Sequence, residues 1–441
     1  MKQGKGITIS VYRILSYILA VLSIFCSSCM WKFLVGWRIP SSLFRIGLLL
    51  TGILMIVLYA RFSRKEIQLI LLVSLYLLIY IGATRTDIQG YMLTVFSSFL
   101  VLIMLSVTSL KGGKLGVLIT AYENVIFVIA LISLACWLFG SVLGVLPGKS
   151  VIYFNLTNMV AKGYTYGHIF FENPRQSQEL LGMTIPRNIG VFLEAPTYAS
   201  FLVYALVIEL LRERRSRVKA GVFVLALLST ISAKSYVFLL EILLIDSVKL
   251  HRNAERRRSR RVRGGRIVSL AVIALVVAVG AFYIYKLKSD TSAYSYRVDA
   301  VLAGIRTWAE HPLFGSGYGN VDAILSNSDL YRRAASISMG LTTLLGQGGL
   351  WLTFFFLFPF FACFKKLMRT KREKIYLMVF IIAMTDLLVS RIMYSAYFEM
   401  ITALGYCLLA VRSKYYLTDP GIRMAESGAV KEHTGSIPGE Y

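Results

Sequence analysis

Histidine is scarce in this 441-residue chain, with only four, and acidic residues number 23 against 48 lysines and arginines. So few histidines leave little for an imidazole metal cage. No DxD and no HExxH occurs, and the acids are scattered, so the usual sequence marks of a metal-dependent transferase or protease are missing. The five cysteines, Cys26, Cys29, Cys136, Cys363 and Cys407, all fall in or near apolar runs, which gives neither a disulfide framework nor a zinc site. Charged residues make up 16% of the chain, too few to cover a large water-soluble surface.

What the chain has is hydrocarbon. It is 56% hydrophobic with a mean hydropathy of +0.65. Long apolar runs alternate with short charged patches, the pattern of a polytopic membrane protein. The sequence predicts an all-α fold of about twelve transmembrane helices, each of roughly 17–25 residues. They lie near 13–31, 43–60, 67–83, 91–109, 117–141, 191–211, 219–232, 235–249, 267–285, 340–364, 374–390 and 394–412. The seventh and eighth are short and read either as two short helices or as one broken, re-entrant element. The first follows basic residues but lacks a small-residue cleavage site, so it reads as a retained span.

The formal charge of +25 sits mainly in alternate loops: "ARFSRK", "KGGK", "RERRSRVK", "KLHRNAERRRSRRVRGGR" and "KKLMRTKREK". The positive-inside rule places these, and both termini, in the cytoplasm. The nine basic residues from Lys249 to Arg266 then serve as a topogenic anchor beside anionic lipid, without a nucleic-acid partner. Residues 1–412 form the membrane domain, and 413–441 a polar cytoplasmic tail of disordered composition.

The opposite face carries two large extracytoplasmic loops, about 147–190 and 286–339, both aromatic and both bearing arginine against the positive-inside trend. Aromatic rings suit membrane interfaces and also stack on sugars.

Three stretches in these regions resemble one family. "PRNIGVFLEAPTYASFL" (Pro186–Leu202) is similar to the arginine–glycine–acid–proline segment of bacterial O-antigen and capsular polysaccharide polymerases. "SYRVDAVLAGIRTWAEHPLFGSGYGN" (Ser295–Asn320) resembles the second external loop of that polymerase/ligase superfamily. "GQGG" (Gly346–Gly349) resembles its GxxG motif. The resemblance implies a C-type glycosyltransferase-like fold in the bacterial cytoplasmic membrane. It implies an undecaprenyl-pyrophosphate-linked glycan as donor, a second lipid-linked repeat as acceptor, and no cofactor or metal. It implies polysaccharide assembly beside a flippase and a chain-length regulator. Related ligases carry a His–Asn-type pair before the GxxG. This chain has Ala335–Ser336 there, a departure that points toward polymerase and leaves the base unassigned.

The chemistry of such a transfer requires a cation at the departing pyrophosphate. Arginine binds phosphate oxygens bidentately and stays charged. Arg187, just before the sixth span, and Arg297, after the ninth, are the first candidates for substrate binding, with Arg306 third. Glu194, seven residues after Arg187, is the candidate base for the acceptor hydroxyl; burial at that depth favours a protonated carboxyl. His311 is the alternative base. Gly315, Gly317 and Gly319 suit tight turns and close approach to a ligand. Lys234, Asp386 and Arg391 are intramembrane charges, Asp386 and Arg391 pairing with each other or with another span.

Two rivals share parts of this pattern. An O-antigen ligase-type transferase would use the same fold with another acceptor. A lipid-linked oligosaccharide flippase would be expected to show a repeated half or paired broken helices, and the sequence has neither.

Overall fold

The computed structural model describes residues 10–35, 40–84, 87–156, 159–180, 183–212, 215–254, 292–329, 339–369, 374–390 and 392–410. The expected span at 267–285, Ala335–Ser336, Arg391 and the tail lie outside them.

The chain is mostly helical. Among the described residues, five helices are long and apolar enough to cross a membrane: α2 (within Ser41–Tyr59), α3 (Arg64–Ala83), α4 (Ile88–Lys111), α5 (Leu115–Val142) and the first part of α11 (Gly340–Arg369). Shorter apolar helices include α1 (Val11–Cys26), α6 (Ala195–Leu211), α12 (Lys374–Val389) and α13 (Ala396–Ala410). These form because apolar residues fill every face, so each helix can contact both neighbours and hydrocarbon. On α3, Leu71, Leu72, Leu75 and Leu78 point outward while Val73, Leu77 and Tyr80 are buried. Its start is fixed by a capping box: Ser63 N–H donates to the Glu66 carboxylate at 2.6 Å, and Lys111 pairs with the same carboxylate at 3.0 Å.

The short pair resolves into two helices, α7 (Arg217–Ser229) and α8 (Ala233–Ala254), joined by a corner of Thr230, Ile231 and Ser232. Ile231 takes a left-handed backbone, φ 44°, which is costly for a β-branched residue.

The all-α expectation needs correction in the first loop. Residues Lys149–Leu156 (β1), Met159–Tyr166 (β2) and Phe170–Glu172 (β3) form an antiparallel sheet in the order β1-β2-β3, with Tyr153 opposite Lys162. Gln178–Leu180 (β4) and Met183–Ile185 (β5) form a second pair. The period-two pattern of "SVIYF" explains the first sheet: Ile152 and Phe154 turn inward, Val151 and Tyr153 outward. The inner face, with Phe171 of β3, packs on Met30, Leu34 and Ile189. Val35 N–H donates to Tyr153 O at 2.9 Å and Asn155 N–H to Phe33 O at 2.7 Å, so the segment after α1 extends the sheet.

Candidate functional site

The segment from Pro186 to Glu194 connects β5 to α6, turning at Gly190, and is pinned from several sides. Trp137 Nε1 donates to Pro186 O at 2.7 Å. Asn188 is buried; its backbone N–H donates to Ser229 O at 3.0 Å, and its Nδ2 to Ser229 Oγ at 2.9 Å. Its Oδ1 accepts from Gly190 N–H at 3.0 Å. Gly190 has φ 57°, a conformation that favours glycine, and a Cβ there would crowd the Tyr198 ring at 3.1 Å. Met30 N–H and Leu193 N–H then stitch the segment to the end of α1.

This scaffold aims Arg187. Its Nε donates to Thr230 O at 2.9 Å and its Nη1 to Gln176 Oε1 at 3.1 Å. Nη2 is buried without a hydrogen-bond partner among the described residues. A guanidinium held at one corner, with a neutral amide on the second nitrogen and nothing on the third, has donors to offer an anion. Burial pushes Arg187 down to about 10; Glu194 opposes that shift and Arg297 adds to it.

Arg297 lies in the second turn of α9 (Ser292–Glu310), exposed and without an ion pair among the described residues. Its charge reaches Arg187 and Lys234, and so does that of Glu194. Two segments far apart in sequence therefore bring Arg187, Glu194 and Arg297 into one electrostatic neighbourhood, which also includes buried Lys234. Glu194 itself is exposed at the start of α6, so the burial expected for it is not seen. Its suitability as a proton acceptor rests on position alone.

The other sequence candidates lie elsewhere. Arg306 follows Arg297 by about two and a half turns, on the opposite face of α9. It pairs with exposed Asp329 at 2.7 Å, a contact that raises the Arg306 value and lowers that of Asp329. His311 follows the far end of α9, about 20 Å along its axis from Arg297. Its side chain is exposed and its backbone forms the turn: Gly315 N–H donates to His311 O at 2.9 Å.

Gly315 and Gly349 approach the chain itself, whereas Gly319 faces open space. Gly349 interrupts α11 with φ 58° and ψ −162°. Leu350 N–H donates to Pro312 O at 2.9 Å, Ser316 N–H to Gly346 O at 2.8 Å and Gly317 N–H to Gln347 O at 3.0 Å. A Cβ on Gly315 would lie 2.4 Å from the Gln347 backbone. "HPLFGSG" and "GQGG" are thus two halves of one joint, a pairing that neither motif announces alone.

Gln176, Asn188 and the Thr230 carbonyl were not legible as site components. Asn188 had a signal, its place in "PRNIG"; a backbone carbonyl has none. Asp386 pairs with Lys234 from another helix. Among the described residues, no three His, Cys, Asp or Glu side chains group as a metal site would require. The chain matches no protein-family model and no curated protein.

Proposed function

We propose that this protein is a membrane-embedded glycosyltransferase that polymerises polyprenyl-pyrophosphate-linked oligosaccharide repeats into a surface polysaccharide at the outer face of the bacterial cytoplasmic membrane. In this reading twelve spans carry two extracytoplasmic loops, with both termini in the cytoplasm. One observation carries it: Arg187 presents an unpartnered buried donor within electrostatic reach of Glu194, from its own segment, and of Arg297, which arrives from α9.

The reaction breaks the bond between the donor's anomeric carbon and the pyrophosphate oxygen. The acceptor hydroxyl oxygen bonds to that carbon, its proton passes to a base, and polyprenyl pyrophosphate leaves with the electron pair. Arg187 and Arg297 meet the charge that grows on the leaving oxygen. Glu194, exposed and close enough for its charge to act on Arg187, takes the hydroxyl proton. Gln176 holds Nη1 of Arg187 until a phosphate oxygen replaces its amide.

The test is polymerisation of the organism's lipid-linked repeat by the purified protein in lipid. Wild type should yield a ladder of products; Arg187→Ala and Arg297→Ala should not. Normal ladders from both variants would sink the reading. A wild type that makes no ladder but moves the lipid-linked repeat across a liposome membrane would establish the transporter alternative.

A further inference from the structure

The corner between α7 and α8 is where Arg187 takes its orientation. Thr230 O accepts from Arg187 Nε, and Ser229 accepts from Asn188 through both its backbone oxygen and its hydroxyl. That corner contains a strained residue, Ile231 at φ 44°, so surrounding contacts must hold it. Locally, Thr230 Oγ1 and Ser235 Oγ share a hydrogen bond of 2.6 Å, and Ser235 N–H donates to Ser232 O at 2.9 Å.

Lys234 supplies the long-range tie. It is buried, ion-pairs with Asp386 of α12, and donates to Ser200 Oγ of α6 at 2.5 Å and Ser390 Oγ at 2.9 Å. Asp386 is satisfied in turn by Ser200, Tyr204 and Tyr397. One ammonium therefore joins the corner to α6, which begins directly after Glu194, and to α12. A buried pair of this kind adds little net stability against apolar replacements.

We propose that Lys234, held by Asp386, is a positioning residue for Arg187: it fixes the 229–235 corner so that the Thr230 carbonyl holds Nε and leaves the other guanidinium nitrogens facing the anion site. This role rests on the reading of Arg187 as an anion ligand. Lys234 is not assigned contact with substrate, because its donors are occupied by Asp386, Ser200 and Ser390.

The test uses the full chain in lipid nanodiscs and inorganic pyrophosphate as the probe, with affinity measured by calorimetry and Tm measured separately. Four proteins are compared with wild type: Arg187→Ala, the apolar pair variant Lys234→Met/Asp386→Leu, the triple combination, and Asp386→Asn. The pair variant should bind pyrophosphate about tenfold more weakly, and the triple variant no more weakly than Arg187→Ala, since coupled residues are non-additive. Asp386→Asn keeps the shape and should fall between wild type and the pair variant, which provides a readout if the pair variant fails to fold. A pair that only supports the fold lowers Tm and leaves the affinity at the wild-type value; that result overturns the role, as does a full additive loss in the triple variant. Wild-type binding by Arg187→Ala instead removes the reading of Arg187 as the ligand, and this role with it.

Discussion

Arg187 and Thr230 lie 43 residues apart in sequence, yet the guanidinium Nε donates to that carbonyl at 2.9 Å. The bond orients a planar fork rather than a point charge. Arg187→Lys should therefore fail almost as completely as Arg187→Ala, because an ammonium cannot reach the carbonyl and present a second parallel donor. A loss of about 10²-fold or more in the rate of repeat transfer is expected for either. Initial rates with a lipid-linked repeat would check this; a lysine variant with near wild-type rate would refute the fork geometry.

The depressed value of Arg187 makes a pH prediction. Burial holds its folded value at about 10, below that of an exposed arginine, so keeping it charged costs folding free energy at neutral pH. An anion that binds only the charged form recovers that cost. Thermal stabilisation by pyrophosphate should be full at about pH 8 and fade as pH rises through about 10, where the unliganded side chain loses its proton. Arg187→Ala is the control, and it should show little of this pH-dependent stabilisation. An equal, pH-independent stabilisation in both proteins would count against Arg187.

Arg45 of α2 and Glu399 of α13 pair at 2.5 Å in the interior, and Arg45 also donates to Ser98 Oγ at 3.1 Å and Tyr394 O at 2.8 Å. Removing one partner leaves the other charge buried. Glu399→Ala should cost about 3–5 kcal/mol, while Arg45→Met/Glu399→Leu should recover most of it. Unfolding midpoints in a fixed detergent would decide; equal losses for the single and double variants would show that the packing matters and the pairing does not.

Gly349→Ala should destabilise the joint between the α9–α10 loop (α10, Val321–Ser326) and α11. A Cβ there would lie 2.4 Å from Gly315 N and 2.4 Å from Leu313 O, at φ 58°. Backbone strain alone is about 1–3 kcal/mol, before the clash is counted. A lowered Tm is expected, and an unchanged one would mean the joint opens in solution.

His311→Ala and Arg306→Ala should leave polymer synthesis near wild type. His311 is exposed beyond the far end of α9, and Arg306 faces away toward Asp329. A ladder lost in His311→Ala would restore it as a base and would require α9 to move.

Apolar runs, basic loops and the "PRNIG" and "GQGG" stretches are local properties, and each is read directly from the chain. They were enough to mark the apolar helices of a membrane protein and to nominate Arg187, Glu194 and Arg297 as candidates. The sheet at 149–172 was hidden because its alternation is short and lies inside a loop that reads as aromatic rather than periodic. His311 drew attention as a rare residue type, a chemical signal with no information about direction.

By itself the sequence determined which segments are apolar enough for a membrane and which side chains are able to hold a phosphate or take a proton. Only the tertiary structure decided which of them meet. Lys234 pairs with Asp386, Arg45 with Glu399, and "HPLFGSG" with "GQGG". Each pairing depends on the rotation and depth of two helices relative to each other. Those are set by side-chain packing across the whole bundle, and no local stretch of sequence contains them.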